Sequence, residues 1–280
     1  MSNLSFTKLR PEMQEFVSRE QHISKSFGIL TYVKLSKKSH DAELKALESY
    51  TTDLPGVTRL SSLDTKTAWI SSYAKHILRH VVIDDQIITI KEIPVTIYDM
   101  APTRSNDILI SIIKSSDVKL ITQSGKTKSF LSLAPLITTG IHVTNNNDII
   151  LGVVEEYTFK PTDNSCRKII VFGENKREKQ SHQYNKRKQR LFTVPCRITV
   201  VNSDIVVIDR RSDDDERVVV LGKEGGVKWI YQGHPKINIE DNPFDPRDIV
   251  ATSVGNVVVA DCNNDAIHAI SGEGGTTTDI

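Results

Sequence analysis

Eighteen residues from Gly173 to Arg190, GENKREKQSHQYNKRKQR, hold the densest cluster of basic residues in the chain. Lys176, Arg177, Lys179, Lys186, Arg187, Lys188 and Arg190 stand against Glu174 and Glu178, with His182 and Tyr184 interleaved. Cations at this density can neutralise phosphates, and a tyrosine among them can stack on an exposed base. Lys176, Arg177, Lys179, Tyr184, Lys186, Arg187, Lys188 and Arg190 therefore form a candidate RNA-binding loop. The competing expectation is a solvated hairpin loop with almost no strand pattern, dispensable for folding. A run of opposite sign follows at Asp213-Asp214-Asp215-Glu216. A calcium loop needs spaced acids and a distal Glu, and consecutive acids on one turn do not converge, so this run reads as a solvated turn.

Other chemistry is hard to assemble. Eight histidines are scattered. His76 and His80 have a four-residue spacing that suits a metal site on a helix, but they lie in a stretch that reads as strand and turn. No G-x-S-x-G elbow occurs. Gly222-Lys223-Glu224-Gly225-Gly226 has neither the glycine spacing nor the following helix of a phosphate loop, and reads as a hairpin turn. No catalytic residue, metal ligand or cofactor is assigned.

The elements that must position these residues repeat. Asp245–Ile270 reads as strand, turn, strand, turn, strand, from its alternating apolar residues and its Gly/Asn/Asp punctuation. Similar units begin near Pro55, Pro94, Pro135 and Pro195, and the last near Pro246. Each has Asp, Asn or Thr before an apolar run: Thr67-Ala68-Trp69-Ile70, Asp107-Ile108-Leu109-Ile110, Asp148-Ile149-Ile150-Leu151, Asp204-Ile205-Val206-Val207 and Asn256-Val257-Val258-Val259. Repeats of this length built from short strands are propeller blades, because a small twisted sheet buries its two faces only against neighbours. The blades are expected at about 54–92, 93–132, 133–192, 193–240 and 241–275. Asp107, Asp148, Asp204 and Asp261 recur at blade turns and are expected to accept backbone N–H bonds there. Trp69 is expected to fill a blade-to-blade interface.

The pattern from Pro246 through Gly255-Asn256-Val257-Val258-Val259-Ala260-Asp261 to Asn263-Asn264-Asp265-Ala266-Ile267-His268 resembles an NHL repeat. More closely, residues from about 54 to 275 resemble the C-terminal β-propeller of tripartite-motif (TRIM) proteins, in the divergent form abundant in bivalve molluscs. That resemblance implies an all-β fold and a substrate- or partner-recognition module of a TRIM-type E3 ubiquitin ligase. The RING finger and B-box need paired Cys/His ligands. This chain has Cys166, Cys196 and Cys262, with no CxxC, so both are absent and no ligase activity of its own is expected. Such propellers are usually six-bladed rings. Five recognisable blades imply an incomplete ring, a fragment of a longer architecture, that leaves blades one and five uncovered and invites self-association through the open edge. Some members of the family bind RNA through a positive propeller face, and some NHL-type propellers are metal-dependent lyases.

Composition bounds the rest. The 280 residues carry a net charge of +1, which implies no global attraction to nucleic acid or membrane. Three dispersed cysteines and no signal-peptide pattern point to a reducing, cytoplasmic setting. No apolar run is long enough to span a membrane. Residues 1–53 read as a linker with a short helix over 41–48, begun at Ser39 or His40; 54–275 as the propeller; and 276–280 as a tail. The chain thus reads as a protein-binding module with an unidentified partner. RNA binding is the second class and a metal-dependent enzyme the third.

Overall fold

The computed structural model describes residues 28–38, 41–63, 66–252, 254–274 and 276–279. Five times, the repeat folds into a four-stranded antiparallel sheet built from consecutive strands. The fold is an all-β propeller of five blades. Two compact parts divide it: one holds Ile97–Gln232, the other the stretches up to Thr96 and from Gly233 onward.

The middle part contains blades two, three and four. Blade two is β7 (Ile97–Pro102), β8 (Ile108–Ile112), β9 (Asp117–Ile121) and β10 (Thr127–Ser132). Blade three is β11 (Ile137–Val143), β12 (Ile149–Val154), β13 (Arg167–Phe172) and β14 (Glu178–His182). Blade four is β15 (Val194–Val201), β16 (Asp204–Arg210), β17 (Glu216–Leu221) and β18 (Val227–Tyr231). The consecutive aliphatic residues of β12 are explained by burial on both faces. Ile149, Leu151 and Val153 join a core with Ala101, Leu109 and Val118 of blade two, whereas Ile150 joins one with Ile198, Val207 and Val219 of blade four. Polar bonds lock the same joints. Ser111 Oγ donates to Thr139 O at 2.6 Å, Ile141 N to Asp99 Oδ2 at 3.0 Å, and Thr139 Oγ1 to Pro195 O at 2.5 Å. Gly140 is required by close approach: a Cβ there would lie 2.7 Å from Cys196 O.

The other part contains a hairpin of β1 (Gly28–Lys38) and β2 (Asp41–Thr52), with two blades. Blade one is β3 (Arg59–Ser62), β4 (Thr67–Ser72), β5 (Ile77–Ile83) and β6 (Ile87–Ile93). Blade five is β19 (Pro246–Ala251), β20 (Asn256–Asp261), β21 (Ala266–Ser271) and β22 (Thr276–Asp279). Leu60, Ala68, Ile70, Val81 and Ile83 fill one face of blade one, with Tyr50 packed against them. Trp69 is fully buried and stacks at 4.7 Å on His80, its partner on the next strand of the same blade, so the contact shown is within blade one rather than between blades.

Several expectations are corrected. The helix expected over 41–48 is the strand β2: pairing with β1 outweighs the helix propensity of its Ala, Leu and Glu residues. Its proposed start at Ser39 or His40, and the linker before Gly28, lie outside the described residues. Blade five runs past 275, because Thr276–Asp279 pairs with β21 as its fourth strand. The 173–190 stretch is not a strandless loop: Glu178–His182 is the outer strand of blade three, paired to β13. Among the described sheets none combines strands from the two chain ends, and β2 lies beside both β6 and β22.

Candidate interaction surface

The long segment 155–166, between β12 and β13, is shaped by Arg167. This side chain is fully buried at the start of β13. Its Nε lies 3.1 Å from Glu155 Oε2, and its Nη2 3.1 Å from Glu155 Oε1, a two-pronged charge-assisted pair. Its Nη1 donates to Thr158 O at 2.6 Å and to Thr193 O at 2.7 Å. One guanidinium therefore fastens both the 155–166 loop and the connection from β14 to β15. Burial opposes ionisation of Glu155, but the bonds from Arg167 outweigh it and hold the carboxyl below its ordinary range. Arg190 fastens the far side of the loop through Ser165 O at 2.5 Å and Thr162 O at 2.8 Å. Arg217 donates to Leu191 O at 2.9 Å and to Asp209 Oδ2 at 3.0 Å. Asp209 Oδ1 accepts Thr193 N and Val194 N at 2.6 and 2.9 Å. Burial pushes the Asp209 carboxyl up, with Arg217 acting against it.

The clamped loop presents a ridge of three rings. Tyr98, on the inner strand β7, lies 6.0 Å from Tyr157, which lies 6.1 Å from Phe159. Arginines close both ends: Arg197 sits 5.3 Å over Tyr98 and Arg210 5.6 Å over Phe159. Tyr98 OH donates to Cys196 Sγ at 3.1 Å, and the thiol donates to Val194 O at 3.2 Å. Burial pushes the Cys196 thiol up to about 12, and raises the Tyr98 and Tyr157 hydroxyls as well. All three stay protonated at neutral pH. A thiolate nucleophile is excluded here, and what remains is stacking, apolar area and hydroxyl donors. Tyr157 is the outermost ring, 36 % exposed.

The eight residues of the candidate RNA loop do not form one patch. Lys176 and Arg177 lie in the turn before β14, and Lys186, Arg187 and Lys188 in a turn after it. Five strand residues, about 16 Å, separate the two groups. Lys176 Nζ is held by Phe130 O at 2.9 Å and sits 4.1 Å over the Phe130 ring. Lys179 pairs with Asp148 at 2.6 Å. Arg190 is spent on loop carbonyls and on Tyr184, 5.4 Å away. Lys186, Arg187 and Lys188 stay exposed on a tight turn bracketed by the Tyr184–Arg190 bridge.

The acidic turn is less solvated than expected. Glu216 is 3 % exposed and bonded by Arg210, and Asp215 is paired with Arg211. The recurrent aspartates accept N–H bonds in part. Gln123 N donates to Asp107 Oδ1, and Asp245 N to Asp261 Oδ1, both at 3.1 Å. Asp148 and Asp204 instead bind Lys179 and Lys228 of their blades' outer strands, each at 2.6 Å. His76 bonds Thr96 and His80 stacks on Trp69. Sequence reasoning missed Arg167, Tyr98, Tyr157 and Arg210. The one available signal was the Glu155-Glu156-Tyr157-Thr158-Phe159 insertion, whose partners are distant in sequence.

No family model matches the chain, and no curated protein matches it. Solved structures do. The Myceliophteria thermophila Cps50 (Swd1) β-propeller domain is similar over 95 % of this chain and 88 % of its own, with TM-score 0.56 and 10 % identity. A catalytically inactive virginiamycin B lyase from Staphylococcus aureus with quinupristin is similar over 91 % of this chain and 74 % of its own, with TM-score 0.55 and 12 % identity. A luciferin-regenerating enzyme is similar over 80 % and 75 %, with TM-score 0.57 and 11 % identity. At such identities the likeness is one of fold, and the chain is similar to these proteins as a β-propeller.

Proposed function

We propose that this chain is a non-catalytic protein-interaction module whose recognition surface is the Tyr98–Tyr157–Phe159 ridge. The observation that carries the reading is the clamp. Arg167 and Arg190 hold the presenting loop through seven bonds, so its rings need little ordering when a partner binds. Tyrosine and arginine in a rigid, half-buried setting are the residues that dominate binding energy at protein interfaces. The resemblance to NHL repeats and to TRIM propellers of the mollusc type extends the reading to substrate or partner recognition in ubiquitination, without a RING in this chain. The three unpaired cysteines fit a cytoplasmic setting, and no helix among the described residues is long and apolar enough to cross a membrane. The test is a photo-crosslinking residue at position 157, with a second at exposed Lys75 of blade one as control. The reading expects a saturable adduct with one protein at 157, insensitive to nuclease and competed by unlabelled wild type but not by Tyr157→Ala. Equal labelling at both positions overturns it.

A second reading, RNA binding, rests on the exposed Lys186–Lys188 turn and on Tyr184, 46 % exposed. It expects affinity for single-stranded RNA to fall steeply with salt, and the slope to flatten by about one unit per phosphate contact removed when these three residues become Ser. An unchanged slope eliminates the turn as a site.

A further inference from the structure

Two turns of opposite charge emerge at the same end of the three-blade part. The 185–189 turn carries Lys186, Arg187 and Lys188, all exposed and without an ion pair among the described residues. It is stiff. Asn185 Oδ1 accepts Arg187 N and Gln189 N at 2.9 Å each, Asn185 O accepts Lys188 N at 2.9 Å, and Lys188 takes φ 59. The 211–215 turn carries exposed Asp213 and Asp214; the Asp213 side chain is 84 % exposed and lies 3.8 Å from Arg210 Nη2, a loose pair that leaves most of it open to a partner. They share this end because the last residue of β16, Arg210, pairs with Val194, into which the connection from β14 leads. Arg217 ties Leu191 of that connection to the strand that follows the acidic turn.

We propose that this end of the three-blade part is a self-association surface for a second copy of the chain. The Lys186–Lys188 turn of each copy meets the Asp213–Asp214 turn of the other. Any two points on one face are exchanged by a two-fold axis lying in that face, so the contact is isologous and closes at two copies. The complementary charges fix its register. The net charge of +1 sets no long-range repulsion between copies. Tyr157 and Tyr184, 36 % and 46 % exposed on the same end, supply the apolar area that the charges lack. Exposed ion pairs are individually weak and screened by salt, so the pair is transient and favoured at low ionic strength. The inference does not depend on the partner-recognition reading of the ridge.

The test is sedimentation equilibrium of the nuclease-treated full chain at low and high salt, with three preparations. Wild type is expected to approach the mass of two chains at low salt and one at high salt. Lys186→Glu/Arg187→Glu/Lys188→Glu and, separately, Asp213→Lys/Asp214→Lys are each expected to weaken association roughly tenfold or more with unchanged melting curves. Mixing the two variants is expected to restore a species of two chains, since each then offers the charge that the other lacks. A monomeric wild type at every salt concentration overturns the proposal. So does a mixture that stays monomeric while wild type pairs. Were the charge-reversed chains misfolded, the mutual rescue could not appear, so its appearance separates pairing from folding.

Discussion

Replacing Arg167 by Leu isolates the clamp from the blades. The guanidinium makes a paired contact to Glu155 and donates to two carbonyls, all from a fully buried position. Removing one partner of a buried pair costs about 3–5 kcal/mol. Glu155 keeps 31 % of its side chain in water and can rehydrate, which lowers that figure. The two carbonyls lose charge-assisted donors, at about 1–3 kcal/mol each before water replaces them. We expect a net loss of about 2–4 kcal/mol, read as a lower urea midpoint. The loss should be local first: amide exchange should accelerate over 156–165 and 191–193 before the strands of blade three open. Glu155→Gln keeps an acceptor and removes the charge, so it should cost less, about 1 kcal/mol. The pH dependence has a definite sign. Because the Glu155 carboxyl is held below its unfolded value, its contribution is present above the ordinary carboxylate range and is lost as pH falls through the depressed value. The gap between wild type and Glu155→Gln should therefore close in acid. A midpoint within about 0.5 kcal/mol of wild type for Arg167→Leu, or exchange that accelerates uniformly, would refute the clamp.

Other outcomes follow from burial. Val258 is 2 % exposed, so Val258→Asp should abolish soluble folding, because an unpaired buried carboxylate costs several kcal/mol; a wild-type melting curve would remove it from the core. Lys186, Arg187 and Lys188 changed together to Ser should shift stability by no more than about 0.5 kcal/mol. Arg190→Ser should cost more, about 1–2 kcal/mol, because it strips the donor from Ser165 O and Thr162 O; equal denaturation midpoints would contradict this. Gly140→Ala should destabilise by about 1–3 kcal/mol, since its methyl meets Cys196 O at 2.7 Å; a neutral effect by calorimetry would show that the β11–β15 joint can spread.

Local pattern determined the blades. Ile149-Ile150-Leu151, Val206-Val207 and Val257-Val258-Val259 announce two-sided burial wherever they occur, because adjacent strand residues face opposite sides and an apolar run leaves neither side for water. The hairpin turn at Gly225 was legible for a similar reason: it takes positive φ, which glycine adopts without a Cβ penalty. What tertiary structure decided is the fate of the charges and of the weakly patterned ends. Residues 41–48 carry helix formers, and only pairing with β1 makes them a strand. The basic run looked continuous, but the outer strand β14 passes through it, so Lys176 reaches Phe130 of blade two while Arg190 turns inward to the 155–166 loop. Tyr98, Tyr157 and Arg210 are separated by more than fifty residues from one to the next and meet because blades two, three and four bring their ends together. A hydrophobic period is a property of neighbours along the chain and can be read there. A salt bridge or a ring contact depends on which distant strands the fold sets side by side, and nothing local encodes that choice.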